Sequence, residues 1–367
     1  MNEPSQHTAA DGADGEERPL EFSLFYFSSN EAEFDKGKYR LLIEGAKFAD
    51  THDFKAVWVP ERHFHPFGGL YPNPSVLASA LAMVTERVRL RAGSVVLPMH
   101  HPVRVAEEWA VVDNLSGGRV DLSLAAGWNP NDFVLAPGSY EQRYDLLFSG
   151  MDTIRQLWRG GTVKLPGGHG QDVSVRVYPQ PRQTDLATWI TCSGGRRRFI
   201  QAGEHGANVL TALLFQSAEE LTDKIAAYRT ARAQHGHDPA AGHVTLMLHT
   251  FVGSDLEEVR RTVRAPFIEY LESSMDLWRN RGKMADIEPR QREELLERAF
   301  DRYFHTSALF GTPQSSGPFL SRLRQAGVDE IACLIDFGVD VDTTLHGLKE
   351  LDALRRLQQA PAMSARL

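Results

Sequence analysis

Cysteine is nearly absent from this 367-residue chain, which has only Cys192 and Cys333. Each stands inside an apolar, strand-like run, so buried thiols are expected rather than a disulfide or a metal-binding pair. Long apolar runs are missing as well. None reaches the roughly 18 residues that a membrane span requires, and the amino terminus has no basic start followed by an apolar core. No membrane association is expected, and the cytoplasm is the expected location. Positive charge is in deficit: the formal net charge is -8, which argues against a phosphate-tracking surface and against nucleic acid as a partner. Finally, no G-x-G-x-x-G follows the first expected strand, so a doubly wound dinucleotide-binding sheet lacks its usual fingerprint.

What is present is an alternation of strand and helix patterns, most legible from Val88 to Phe133. There Val88 to Leu97 is apolar and β-branched, Arg104 to Leu115 has helical spacing, and Val120 to Ala126 is again strand-like. Upstream, strands are expected at Phe22–Phe27 and Ala56–Pro60, with helices at Lys38–His52 and Pro74–Thr85. Downstream, strands are expected at Trp189–Cys192, Ala207–Ala212, His243–Val252 and Glu330–Phe337. Helices fall at Tyr140–Trp158, Arg197–His205, Ser217–His235, Gly317–Gln325 and Thr343–Gln358, and Ser217 with Glu220 forms a capping pair. Eight strand–helix pairs are the arithmetic of a (β/α)8 TIM barrel, in the α/β class.

The domain reading is a disordered acidic tail over 1–19, one barrel domain over 20–358 and a short tail over 359–367. Two insertions interrupt the barrel. Residues 160–182 read as a small hairpin bordering the mouth, and about 270–310 exceeds what one crossover needs.

Ligands collect at the carboxyl ends of barrel strands. Ser193-Gly194-Gly195-Arg196-Arg197-Arg198 follows strand five and opens a helix, where glycines free the amides, the helix end favours an anion and arginine can grip it. The alternative is a capped helix with solvated arginines. Glu61-Arg62-His63 follows strand two and offers acid, base and cation, the alternative being a rim ion pair of Glu61 with Arg62. His100-His101, Glu107 and Asp113 read as structural, with Glu107 paired to Arg104 and Asp113 to Arg119.

Glu61-Arg62-His63-Phe64, Asn73-Pro74, Val96-Leu97-Pro98, His101-Pro102-Val103-Arg104, Ala106-Glu107, Ser116-Gly117-Gly118-Arg119 and Gly127 through Phe133 resemble the bacterial luciferase-like flavin monooxygenases in order and spacing. The likeness runs from about Leu20 to Leu354. Gly93–Pro98, Arg104–Trp109, Gly127–Phe133 and Met247–Val252 look like the members found beside peptide and polyketide synthetases. The resemblance implies FMN across the barrel mouth, a cis peptide at Gly93-Ser94 against the ring, and Trp128 and Asn129 beside it. Phe64, Phe67 and Trp128 would keep water out, or simply pack. Arg143 matches a phosphate-binding arginine, one residue closer to Gly127 than in luciferase. A second family arginine is replaced by Ala126, which shifts weight to Ser193–Arg198, with Thr211 adding a hydroxyl.

Luciferase has Glu-His-His-Phe after strand two, its first histidine a base, and that position is Arg62 here. His63 is then the candidate acid or base, Arg62 could stabilise a peroxide or hold an acidic substrate group, and Glu61 could orient either. The implied activity is oxygenation with O₂ and reduced FMN from a separate flavin reductase, on a natural-product intermediate, free or tethered to a carrier protein. Relatives imply a homodimer. Open alternatives are an F420-dependent dehydrogenase of the same superfamily and a flavin-binding protein without catalysis. A metal-dependent TIM-barrel hydrolase, from His63-Phe64-His65 and Asp336, is the remotest.

Overall fold

A computed structural model of the chain describes residues 19–27, 37–214, 216–279 and 288–359, with backbone alone for 274–279 and 289. Most of both expected tails lies outside the described residues. Eight parallel strands close into a barrel: β1 (Glu21–Phe25), β2 (Ala56–Val59), β3 (Arg89–Val96), β4 (Val120–Ala125), β7 (Thr188–Cys192), β8 (Asn208–Ala212), β9 (Val244–Val252) and β11 (Glu330–Leu334). β8 pairs β9, and β11 joins β9 to β1, so no edge remains in the ring.

Strands covered on both faces are apolar almost throughout. Along β1, Phe22 and Leu24 face the helices while Ser23 and Phe25 face the barrel interior. β2 alternates likewise, with Val57 and Val59 outward and Trp58 inward. Between strands run α1 (Arg40–Thr51), α2 (Pro74–Ala82), α3 (Pro102–Ser116), α4 (Arg143–Trp158), α5 (Arg196–Glu204) and α6 (Ala218–Gln234). The Ser217–Glu220 capping box opens α6 as its sequence indicated.

The floor of the barrel is polar and closed. The Glu330 carboxylate takes Arg91 at 2.7 Å and Ser23 Oγ at 2.5 Å, and Arg91 Nε also reaches Asp121 at 2.7 Å. The Arg91 guanidinium lies over Trp58 and Trp189, 4.8 and 4.6 Å from their ring centroids. Burial opposes charge on Glu330, but Arg91 and His243 hold its carboxyl far below the usual range.

Two departures from the sequence reading matter for the site. The hairpin of β5 (Val163–Pro166) and β6 (Asp172–Val175) forms, yet it does not border the mouth. It joins α4 to β7, a helix-to-strand connection, and such connections lie at the amino ends of the strands. Consistent with that, Arg182 and Gln183, just after it, donate backbone N–H groups to Asp113 at 2.7 and 3.0 Å. Asp113 is therefore not paired with Arg119, whose guanidinium instead donates to Thr85 Oγ1 and the Val88 carbonyl.

The second insertion does cover the mouth. α7 (Leu256–Arg279) and α8 (Pro289–Thr306) leave the carboxyl end of β9, followed by β10 (Leu309–Gly311), α9 (Pro313–Gln325) and, after β11, α10 (Val341–Gln359). Phe267, Tyr270, Phe300 and Tyr303 of α7 and α8 form one apolar cluster with Phe25, Trp58 and Phe67 of the barrel. α9 begins four residues before the expected Gly317, because Thr312 accepts the Ser315 amide at 3.1 Å and Pro313 suits the first helical position.

Candidate active site

At the carboxyl end of β2 the Glu61 side chain is buried, and its two oxygens accept three hydrogen bonds. Its Oε1 accepts from His63 Nε2 at 2.8 Å and from His100 Nε2 at 2.6 Å. Its Oε2 accepts the Val96 amide at 2.8 Å. Burial pushes the carboxyl up, but the two histidines and the amide prevail and hold it below its ordinary value. Burial likewise opposes protonation of His100, and the Glu61 carboxylate overcomes that and raises it. An ionised Glu61 requires a proton on both Nε2 atoms, which leaves Nδ1 of a neutral His63 as the atom able to take up a proton.

Instead of the alternative rim ion pair of Glu61 with Arg62, the described residues show a His63–Glu61–His100 arrangement. His100, read from sequence as turn packing, is a site residue the sequence reading missed. Its only signal was its place after strand three, where it directly follows the 3-10 turn Leu97–Met99. Arg62 packs instead against the rings of Phe27 and Phe67, 4.5 and 5.0 Å from their centroids. Phe64 does not shield the mouth, being 66% exposed with a positive φ of 54°. Asp132 lies near His63 and Arg62, and its carboxyl is raised by burial against the pull of both.

The residues suggested for a metal are not gathered. His65 Nδ1 accepts the Phe67 amide at 3.1 Å, and Asp336 accepts from the Phe27 amide at 2.9 Å and the Tyr71 hydroxyl at 2.8 Å. Among the described residues the one three-ligand cluster, Glu21, His243 and Glu330, is at the opposite end of the barrel and belongs to the floor network.

On β3, the Gly93–Ser94 bond is cis, as the resemblance implied. Register with β4 slips there: Gly93 faces Ser123 and Val95 faces Leu124, so Ser94 is an extra residue on β3. The Ser94 hydroxyl reaches Ser123 Oγ at 3.1 Å and also Thr191 Oγ1, and Ser123 and Thr191 are 2.9 Å apart. This row of three hydroxyls across β3, β4 and β7 was not anticipated beyond Ser94. After β4, Gly127 has φ 77°, and a Cβ there would lie 2.7 Å from Val96 and 2.8 Å from Phe133. Asn129 caps the following turn, accepting the Asn131 amide and donating to Asp132 at 2.6 Å. Trp128, beside it, is 38% exposed.

A basic corner completes the mouth. Gly194 has φ 107°, and Gly195 opens α5 with no side chain capping its amides. Ser193 and Arg196 are exposed on that turn. Arg198 lies over the ring of Tyr144 at 3.4 Å, and Arg143 over the same ring at 4.9 Å, so the amino ends of α4 and α5 meet there. Arg143 donates to the Tyr140 carbonyl at 2.6 Å while its buried Nε has no partner. Among the described residues no carboxylate pairs with Arg143, Arg196, Arg197 or Arg198. Uncapped amides, an orphan Nε and unneutralised arginines fit a phosphate. Thr211 is not part of that surface. Its buried hydroxyl donates to the Cys192 carbonyl at 2.7 Å and accepts from Gln216 at 2.9 Å, which secures the end of β7 instead.

A closed parallel barrel with an acid–base cluster and an anion-binding corner on one mouth defines a cofactor-dependent (β/α)8 enzyme. Residues 20–330 match the model of the luciferase-like monooxygenase family, and the chain belongs to that family. It is 25% identical over 353 residues, 90% of this chain and 93% of the other, to the oxygenase component of flavin-dependent trigonelline monooxygenase from Acinetobacter baylyi. Monooxygenase RslO1 from Streptomyces bottropensis superposes with a TM-score of 0.77 at 20% identity, covering 91% of this chain and 98% of that one. An F420-dependent secondary alcohol dehydrogenase superposes with a TM-score of 0.69 at 18% identity, covering 92% and 99%. Those two likenesses establish the fold and leave the cofactor to the side chains.

Proposed function

We propose that the protein is the oxygenase half of a two-component flavin monooxygenase, binding reduced FMN made by a separate reductase and transferring one atom of O₂ to an organic substrate. The observation that carries this is the corner at Tyr144, where Arg143, Arg198 and the open end of α5 present a site for a phosphate on the same mouth as Glu61 and His63. Bound there, reduced FMN supplies O₂ activation. Gly93, Ser94, Trp128 and Asn129 flank the place for the ring, and Ser193, Gly194, Gly195 and Arg196 the place for the phosphate. His63, oriented by Glu61, moves the proton at Nδ1, and the aromatic residues of α7 and α8 keep water from the chamber.

The likeness to synthetase-associated members supports a natural-product intermediate as substrate, free or carrier-bound. Their pairing through outer helices supports a homodimer, and α2 and α3 expose Val76, Val111 and Leu115 as a surface for it. Anaerobic titration with reduced FMN and with reduced F420, followed by admission of O₂, tests the assignment. Tighter binding of FMN, with oxygen uptake and roughly tenfold weaker FMN binding in Arg143→Ala, is expected. Preference for F420 without oxygen uptake would make the protein a dehydrogenase instead.

A further inference from the structure

The guanidinium of Arg62 has no hydrogen-bond or ion-pair partner among the described residues, and this sets it apart from the other enclosed arginines. Arg91 holds two carboxylates, Arg355 holds Asp352 at 3.0 Å, and Arg232 donates to the Asp238 and Ala207 carbonyls. Arg62 instead packs in the corner made by the rings of Phe27 and Phe67, which meet edge to face with centroids 6.1 Å apart, and its backbone N–H is fixed to the Tyr71 carbonyl at 2.9 Å. Asp132 and Asp336 are near enough to favour its charge, yet neither forms an ion pair with it.

The surrounding loop is shaped to this side chain. A Cβ on Gly68 would come within 2.9 Å of Arg62 Nε and 2.8 Å of the Phe27 carbonyl, and Gly68 has φ 75°. Beyond Arg62 the wall is aromatic: Phe67 packs on Tyr270 at 5.2 Å between centroids, and Tyr270 on His249 at 4.4 Å. Aromatic rings stabilise a cation without neutralising it, and no partner among the described residues takes up the forked donors of the guanidinium, which can therefore receive a planar anion. Asp132 is near enough to both Arg62 and His63 to feel the charge of each, so an anion gripped by Arg62 is held in the neighbourhood of the proton-transfer group.

We infer that the substrate is a carboxylic acid with an apolar, flat body, its carboxylate received by Arg62 and its body lying along Phe67 and Tyr270. This deepens the oxygenase reading and relies on it only for what then happens to the bound acid. The geometry favours a carboxylate over a phosphate, because the charge meets one fork beside two rings rather than a set of converging amides.

Calorimetry on the full chain with benzoate and its neutral isostere benzamide tests it. Wild type should bind benzoate at least tenfold more tightly than benzamide, Arg62→Met should abolish that preference, and Arg62→Lys should retain part of it. Equal affinity for the two ligands in wild type, or an unchanged preference in Arg62→Met of normal circular dichroism, overturns the inference. If the methionine variant does not fold, the wild-type comparison and the lysine variant decide. Displacement of benzoate by equimolar inorganic phosphate overturns the carboxylate assignment. FMN affinity of the methionine variant should stay within about twofold of wild type, and a tenfold loss would make Arg62 a flavin ligand and overturn the inference. If the protein binds no FMN yet prefers benzoate through Arg62, the oxygenase reading falls and the acid-binding inference stands.

Discussion

Glu61 illustrates how one buried carboxylate can set the state of two histidines. With both Nε2–H groups directed at one oxygen, removing its charge releases His100 from its raised pKa and leaves His63 free to turn. Glu61→Gln should therefore lower the oxygenation rate by about 10²-fold or more with FMN binding little changed, a separation that stopped-flow turnover and flavin titration will measure. His100→Gln, which can still donate a hydrogen bond to Glu61 but cannot titrate, should have the smaller effect. At this scale the sequence disclosed Glu61, His63 and the Ser193–Arg196 turn, since each stands next to a strand end. It did not disclose His100, Ser123 or Thr191, whose roles depend on which strand lies beside which.

α5 carries the proposed phosphate turn at its amino end and is fixed at the other end by contact with α6. Gly203 permits that contact: a Cβ there would sit 2.5 Å from the Tyr228 carbonyl, which belongs to the α6 backbone and cannot swing aside. Helix propensity alone would make Gly203→Ala stabilising by about 1 kcal/mol. The crowding should reverse the sign, destabilising the protein by about 1–3 kcal/mol in urea unfolding and weakening FMN as α5 tilts. Among the elements, the eight barrel strands and the helices between them were legible within a few residues, because two-sided burial and capping chemistry are written locally. The position of the β5–β6 hairpin was not, since its residues are consistent with either end of the barrel. Only the direction of the chain around it, from a helix into a strand, puts it at the amino ends.

The molecule as a whole stacks a charged floor under an aromatic cluster that α7 and α8 complete. His249, on β9, lies beneath that cluster with its Nε2 buried and unpartnered, against Phe267, Tyr270 and Phe337. Desolvation depresses its pKa from 6.5 to about 3. The folded protein thus keeps His249 neutral while the unfolded chain protonates it. Its contribution to stability is complete above pH 6.5 and is lost as the pH falls from 6.5 toward 3, by up to about 1.4 kcal/mol per pH unit. Urea midpoints measured across that interval should fall less steeply in His249→Leu than in wild type, and equal slopes would show that the histidine is not held neutral.

By itself the sequence determined the barrel, the uncapped glycine–arginine turn that opens α5, the cis position on β3 and the residues after β2, because each is a local pattern of burial, glycine or charge. Tertiary structure alone decided that Glu61 serves two histidines, that the Arg62 guanidinium has no ion-pair partner among the described residues, and that Thr211 braces a strand end. Hydrogen bonds and ion pairs are short-ranged, so the choice of partner is made by strands and loops far apart in the chain and becomes definite only when the ring of strands closes.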